Sequence, residues 1–275
     1  MNRIQEKFNE LKRKKEKALI VFMTAGDPSL KKNEQMVAAF EKEGVDLIEF
    51  GVPFSDPLAD GPVIQASSQR SLHRKTNLSQ ILKLVERVRR RSEIPVVLMS
   101  YLNPLLSFGL EKFSRAAKKA GVDGVIIPDL PADESAEILP AMRRQKLDVI
   151  FLLAPTSTPQ RQHLIARVSR GFIYYVSLTG VTGIRKQLPD SIDKNIQSMR
   201  RHTRLPICAG FGISTPEQVR SVCKSADGVI IGSVIVKALA ENAHMDANKF
   251  AAKFVRPFAK ALGGHVNHLT CPPRH

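Results

Sequence analysis

The sequence predicts an α/β protein folded as a single (β/α)8 barrel, on three observations. Eight short runs rich in Val, Ile and Leu alternate with stretches of helical periodicity from one end to the other. The runs do not alternate apolar with polar residues, which marks parallel strands buried on both faces. No shift of composition divides the 275 residues, and one such barrel takes roughly 250. A doubly wound open sheet competes, but no Gly-x-Gly-x-x-Gly follows the first run, so a dinucleotide-binding reading falls away.

The elements follow in order. Ile4 to Lys15 spaces Ile4, Phe8 and Leu11 as an amphipathic helix ahead of the barrel. Ala18 to Ala25 reads as the first strand, with a turn at Gly26-Asp27-Pro28 and a helix from Leu30 to Glu43 closed by Gly44. Leu47 to Val52 leads to helices at Val63 to His73 and Leu78 to Arg91, and Pro95 to Tyr101 leads to Leu110 to Ala120. Val125 to Pro128 precedes one helix from Ala132 to Lys146, and Asp148 to Ala154 precedes Thr158 to Arg170. Phe172 to Leu178 precedes Ser191 to Thr203, and Leu205 to Ala209 precedes Thr215 to Ala226. Val229 to Ile231 precedes a short helix, Val234 to Ala240, and a final one from Ala247 to Leu262. The expected barrel domain spans residues 1–264, and residues 265–275 are expected to be a disordered tail.

Composition narrows the class. A charged content of 25% with 43% hydrophobic residues is that of a soluble globular protein rather than a disordered one. No apolar run approaches the roughly 20 residues that span a bilayer, and Met1 to Lys17 is too charged for a secretory leader, so a cytoplasmic protein is expected. Cys208, Cys223 and Cys271 are odd in number and lack metal-ligand spacing, which argues against a disulfide framework or a metal centre. His265, His268, Cys271 and His275 read as part of an extension, not as a metal site, and no histidine sits in a catalytic motif. The net charge of +16 raises nucleic-acid binding. Its basic residues, however, run along helix faces (Lys12 to Lys15, Arg87 to Arg91, Lys118-Lys119, Arg143-Arg144, Arg200-Arg201) without interleaved aromatics, as a solvated surface does.

The stretch from Leu47 to Pro62 carries the chemistry. Strand alternation puts Leu47, Glu49 and Gly51 on one face, and Glu49 plausibly faces the interior. A carboxylate there costs several kcal/mol unless it is paired or neutral. Pro53, Pro57, Gly61 and Pro62 stiffen the loop that brings Asp56 and Asp60 to the same strand end. Taken alone, Glu49 reads equally as a strand-end residue paired with a lysine, and Asp56 and Asp60 as turn makers. The barrel tips the balance, because the C-terminal ends of its strands form the functional face. Phe22, Thr24, Glu49, Tyr101, Asn103, Asp129, Tyr174, Gly210 to Gly212 and Gly232-Ser233 all fall there.

Glycine-bearing segments follow strands six, seven and eight: Gly180-Val181-Thr182-Gly183, Gly210-Phe211-Gly212-Ile213-Ser214 and Gly232-Ser233. Backbone amides approach an anion closely at such turns, and the short helix after strand eight adds its positive N-terminus, so a phosphate site is expected.

With Thr24 to Pro28 before it and the glycine segments after it, the run Glu49 to Pro62 resembles the tryptophan synthase alpha chain family, over nearly the whole length to about Gly264. The resemblance implies a TIM-barrel lyase of tryptophan biosynthesis that cleaves indole-3-glycerol phosphate to indole and glyceraldehyde 3-phosphate without a cofactor of its own. By position, Glu49 matches the family's general acid/base and Asp60 its second catalytic carboxylate. Tyr174 matches the active-site tyrosine, and Phe22, Met99, Ile126 and Leu152 fall where the indole pocket is lined. Gly183, Gly212, Gly232 and Ser233 match the phosphate binders, and Thr182 the threonine of a lid, Thr179 to Ser191, that closes over the substrate to meet Asp60. The resemblance also implies a pyridoxal phosphate-containing beta chain as partner in an α2β2 tetramer, which receives the indole. Pro53, Asp56, Asp129 and Pro131 match positions of that interface. Another phosphate-handling barrel, such as indole-glycerol-phosphate synthase or a sugar-phosphate isomerase, would lack the Glu49 to Asp60 run. A catalytically silent subunit that activates a beta chain is opposed by the intact carboxylates.

Overall fold

A computed structural model describes residues 2–176, 191–210 and 212–263. Its strands are β1 (Ala18–Thr24), β2 (Leu47–Gly51), β3 (Val96–Met99), β4 (Gly124–Ile126), β5 (Asp148–Ile150), β6 (Leu152–Leu153), β7 (Ile173–Val176), β8 (Ile207–Gly210) and β9 (Gly228–Ile231). The helices are α1 (Arg3–Lys14), α2 (Leu30–Lys42), α3 (Pro62–His73), α4 (Leu78–Arg89), α5 (Leu102–Phe108), α6 (Leu110–Ala120) and α7 (Leu139–Arg144). They continue with α8 (Pro159–Val168), α9 (Ser191–Arg200), α10 (Pro216–Val222), α11 (Ser233–Glu241), α12 (Ala247–Phe254) and α13 (Arg256–Ala261).

All strand pairs are parallel, in the order β5-β4-β3-β2-β1-β9-β8-β7-β6. The two ends of that list are halves of one stretch interrupted at Phe151, whose carbonyl accepts from Tyr174 N–H at 3.1 Å. The fifth barrel strand thus pairs with β4 through its first half and with β7 through its second, which closes an eight-stranded barrel as expected.

Alternation sorts each strand into two cores. Ile20, Leu47, Val97, Ile126, Ile150, Tyr174, Cys208 and Ile230 fill the barrel interior, while Val21, Ile48, Phe50, Leu98 and Val125 pack outward against the helices. The N-terminal mouth is plugged by α1, whose buried Ile4, Phe8 and Leu11 join the interior cluster. The Phe8 and Phe172 rings sit 5.8 Å apart there.

Aspartates just ahead of strands stitch this lower rim. Asp46 N–H donates to Leu19 O and its carboxylate accepts from Leu19 N–H, both at 2.9 Å. Asp123 repeats the pattern on Val96, and Asp227 on Ile207. Each extends the ladder by one residue where backbone groups would otherwise end unpaired. Asp123 is also the hub for Arg89 Nη2 at 2.7 Å, Arg3 Nη1 at 3.1 Å and, on its carbonyl, Asn2 Nδ2 at 2.8 Å.

Four elements differ from the sequence expectation. A helix, α5, occupies Leu102–Phe108, where Pro104 is tolerated because first-turn N–H groups have no intrahelical partner. The expected helix Ala132 to Lys146 is a 3-10 turn (Ala132–Glu137) followed by α7, and the last expected helix divides at Val255 into α12 and α13. Pro140 and Pro257 sit just beyond these breaks and donate no hydrogen bond back across them. The fourth difference is the interruption at Phe151. Thr182, Gly183, most of the Thr179 to Ser191 segment and the tail lie outside the described residues. No helix among the described residues is long and apolar enough to cross a membrane.

The Arg89–Asp123 pair is nearly buried, with side-chain exposures of 10% and 3%. Asp123→Ala strands the Arg89 charge and the Val96 N–H, and is expected to lower the unfolding free energy by roughly 3–5 kcal/mol, read from urea denaturation against the unsubstituted protein.

Candidate active site

Glu49 is the third residue of β2 and pairs in register with Phe22 on β1 and Val97 on β3. It is 1% exposed, and among the described residues neither carboxyl oxygen has a hydrogen-bond partner. No lysine or arginine forms a described ion pair with it, so the paired strand-end reading fails. Burial, with a smaller contribution from the Asp60 charge, raises its pKa from 4.5 to about 8. At neutral pH Glu49 is a carboxylic acid holding a proton.

Space above Glu49 is made by a missing side chain. Gly51, two residues on and on the same face, would carry a Cβ 2.5 Å from Phe22 Cζ, so glycine there admits the ring. Gly210 does the same for Tyr174, whose hydroxyl lies 2.5 Å from where a Cβ would stand. Phe22, Met99, Ile126, Leu152 and Tyr174 all lie on the interior faces of their strands, so the structure gathers the five predicted pocket residues into one barrel.

Asp60 reaches the same mouth from the rigid loop. Its N–H donates to Pro57 O at 3.0 Å and its carbonyl accepts from Gln65 Nε2 at 2.8 Å. Ser68 on α3 clasps both backbone groups of Phe54. Phe22, Thr24, Gly51, Asp60, Met99 and Tyr101 line a small cleft at the strand ends. Burial raises the Asp60 pKa from 3.8 to about 6, opposed by a hydrogen bond from Tyr101. The two carboxyl groups therefore differ in state near neutrality, Glu49 protonated and Asp60 ionised.

An uncapped helix N-terminus follows β9. The helix α11 starts at Ser233 after Gly232, with no side-chain cap. Ile235 and Val236 N–H both turn to Gly232 O, and among the described residues the N–H groups of Ser233 and Val234 find no acceptor. The N-terminus of α10, by contrast, is closed by a capping box between Thr215 and Gln218. Gly212, at φ +74° with open space around it, stands in the segment between β8 and α10.

Of the predicted partner-facing residues, Asp56 is exposed and Pro53 is buried. Asp129 accepts from Leu102 N–H at 2.9 Å, capping α5, and Pro131 precedes the 3-10 turn. Tyr101 was marked in the sequence by its strand-end position but assigned no role; the contact that gives it one, to a loop forty residues earlier, has no sequence signature. A wider groove between α1, α2 and α4 lies at the opposite rim, but its wall carboxylates Asp46 and Asp123 are committed to strand N–H groups.

A closed (β/α)8 barrel with a neutral acid, a carboxylate and a bare helix N-terminus at its C-terminal mouth defines the class, a barrel enzyme. Residues 8–262 match the sequence profile described as tryptophan synthase alpha chain. A tryptophan synthase alpha chain from Geobacter sulfurreducens is 48% identical over 263 residues, 96% of this chain and 100% of that protein. The crystal structure of the alpha subunit from Legionella pneumophila superposes with a TM-score of 0.88 at 33% identity, covering 96% of this chain and 99% of that one. A chain of the tryptophan synthase α2β2 complex of Pyrococcus furiosus does so with a TM-score of 0.83 at 36% identity, covering 89% and 99%. The chain belongs to the tryptophan synthase alpha chain family.

The Glu49 environment has a thermodynamic signature. The unfolded chain loses the Glu49 proton near pH 4.5 and the folded protein near pH 8, so between those values unfolding releases a proton and stability falls as pH rises. Glu49→Gln is therefore expected to be more stable than the parent, with a gap on the order of a few kcal/mol that widens from pH 5 to pH 8; urea midpoints at the two values check it.

Proposed function

We infer that this chain is a carbon–carbon lyase of tryptophan biosynthesis, which cleaves indole-3-glycerol phosphate to indole and glyceraldehyde 3-phosphate. The observation that carries the assignment of roles is the unpartnered, buried Glu49 beneath a mouth that also holds Asp60. Cleavage needs C3 of the indole protonated, so that the ring accepts electrons. The neutral Glu49 is suited to donate that proton, with the positive charge passing to the ring nitrogen. An ionised Asp60 accepting the ring N–H stabilises that charge. The Glu49 carboxylate then takes the proton of the adjacent glycerol hydroxyl, and the bond from C3 to that carbon breaks. Its electrons return to the ring as indole, the hydroxyl carbon becomes the aldehyde, and Glu49 is again protonated. No proton is gained or lost overall.

Phe22, Met99, Ile126, Leu152 and Tyr174 supply the apolar interior for the indole ring. The open amides of Ser233 and Val234, after Gly232 and with Gly212 nearby in the β8–α10 segment, suit the phosphate, the dianion facing the positive end of α11. Thr182 and Gly183 are assigned to the same substrate by resemblance, as is closure of the segment Thr179 to Ser191. The reaction written above uses only side chains and backbone, and the chain is proposed to need no cofactor. A beta chain in an α2β2 tetramer is the proposed partner, as in the Pyrococcus furiosus complex, with pyridoxal phosphate there and not here. Pro53, Asp56, Asp129 and Pro131 are the proposed contacts, and the cytoplasm the proposed location.

Purified chain mixed with indole-3-glycerol phosphate, alone and with a beta chain, is expected to release indole. Glu49→Gln and Asp60→Asn are each expected to lower the rate by at least about 100-fold with the far-UV circular dichroism unchanged. Parent-like release by either variant would remove that residue from the chemistry.

A further inference from the structure

Tyr101 stands where three constraints meet. It follows β3 and heads α5, and its backbone position is held because Asp129 accepts the N–H of the next residue, Leu102. Its ring is 6% exposed and lies 5.3 Å from the Phe54 ring, inside the loop that carries Asp60. Its hydroxyl accepts the Ala59 N–H at 2.8 Å. A phenol has a single proton to give; with its oxygen already accepting the Ala59 N–H, that proton is left for the Asp60 carboxylate, which lines the same cleft.

We propose that Tyr101 is a positioning residue for the reaction assigned above: its hydroxyl, accepting the Ala59 N–H, donates to the Asp60 carboxylate and so ties that group to the loop backbone at the cleft. The argument is one of direction. A hydroxyl that receives an N–H is a better donor through its own proton. A donor on a carboxylate favours the charged form. The phenol itself is held protonated by burial and by the nearby Asp60 charge, so it does not compete for the negative charge.

No other group facing Asp60 holds its charge. Glu49 on β2 and Tyr174 on β7 are kept protonated by burial and, in part, by the Asp60 charge itself, and as neutral groups they do not act back on it. From α3 comes the Gln65 amide, which binds the Asp60 carbonyl rather than its carboxylate. Among the described residues no lysine or arginine pairs with Asp60. Without Tyr101, burial alone would drive Asp60 towards the protonated form, in which it cannot hold the positive ring.

This proposal rests on the assigned function for its consequence but not for its test. In full-length protein labelled with 13C at aspartate carboxyls, Asp60 is identified as the signal lost in Asp60→Asn. Tyr101→Phe keeps the ring on Phe54 and removes one oxygen. It is expected to raise the Asp60 titration midpoint by about one unit, and to move the acid limb of kcat/KM for indole release to higher pH by the same amount. Should Tyr101→Phe fail to fold, 3-fluorotyrosine at position 101, a stronger donor, is expected to lower the same midpoint. An unmoved midpoint in whichever variant folds overturns the proposal. A moved midpoint in Tyr101→Phe, with the parent protein itself releasing no indole alone or with a beta chain, would uphold the clamp and overturn the reaction instead, so the two failures are distinguishable.

Discussion

Water is kept from Glu49 by the apolar side chains of the barrel, and that exclusion, rather than any partner, sets the protonation state of the group. A carboxylic acid inside a parallel barrel is tolerable only while it stays neutral, since the ionised form would have neither solvent nor a cation. Everything at the C-terminal mouth can be read from this constraint. The proposed reaction calls for a second carboxyl group in the opposite state, and Asp60 comes from a loop that is partly wet, not from a strand. Proline, the Ser68 clasp on Phe54 and the Tyr101 bond to Ala59 fix that loop, so the two groups keep different surroundings at one mouth. A pair of titratable groups pushed apart by environment is how a fold runs acid and base chemistry at one pH.

The two mouths of the barrel divide the work. At the upper one, side chains are removed to make room: Gly51 and Gly210 stand where larger residues would strike Phe22 and Tyr174. Helix α11 begins without a cap, so its amides remain open. At the lower mouth α1 forms a plug and Asp46, Asp123 and Asp227 are paired to strand ends, although Ser169 Oγ is buried there without a partner among the described residues. The polar groups of the lower rim chiefly hold strands, while those of the upper mouth face the cleft.

Much of this was legible in the residues. The eight apolar runs set the strand count, and the position of Glu49 in one of them, with period-two alternation, placed it inside. The unpaired state of Glu49 was not legible, because whether a lysine meets a strand carboxylate depends on contacts between elements far apart in sequence. The same holds for Tyr101, whose strand-end position is visible but whose bond to Ala59 spans a loop and a pair of helices. Short helices were the other gap: α5 is a proline-bearing helix of about two turns, below the length at which periodicity speaks, and the division at Val255 follows from one proline that periodicity alone passes over.

The aspartates of the lower rim have a further meaning for the chemistry above them. A parallel strand can slide against its neighbour by one residue at small cost in backbone hydrogen bonds, yet such a slip reverses which side chains face inward. For β2 the slip would turn Glu49 out among the helices and bring Ile48 or Phe50 in. Asp46 binds Leu19 through its backbone and its carboxylate together, a doublet that only one alignment satisfies. The rim thus acts as an indexing pin, and which residue of β2 faces inward as the proposed acid is decided at the end of the barrel away from the cleft.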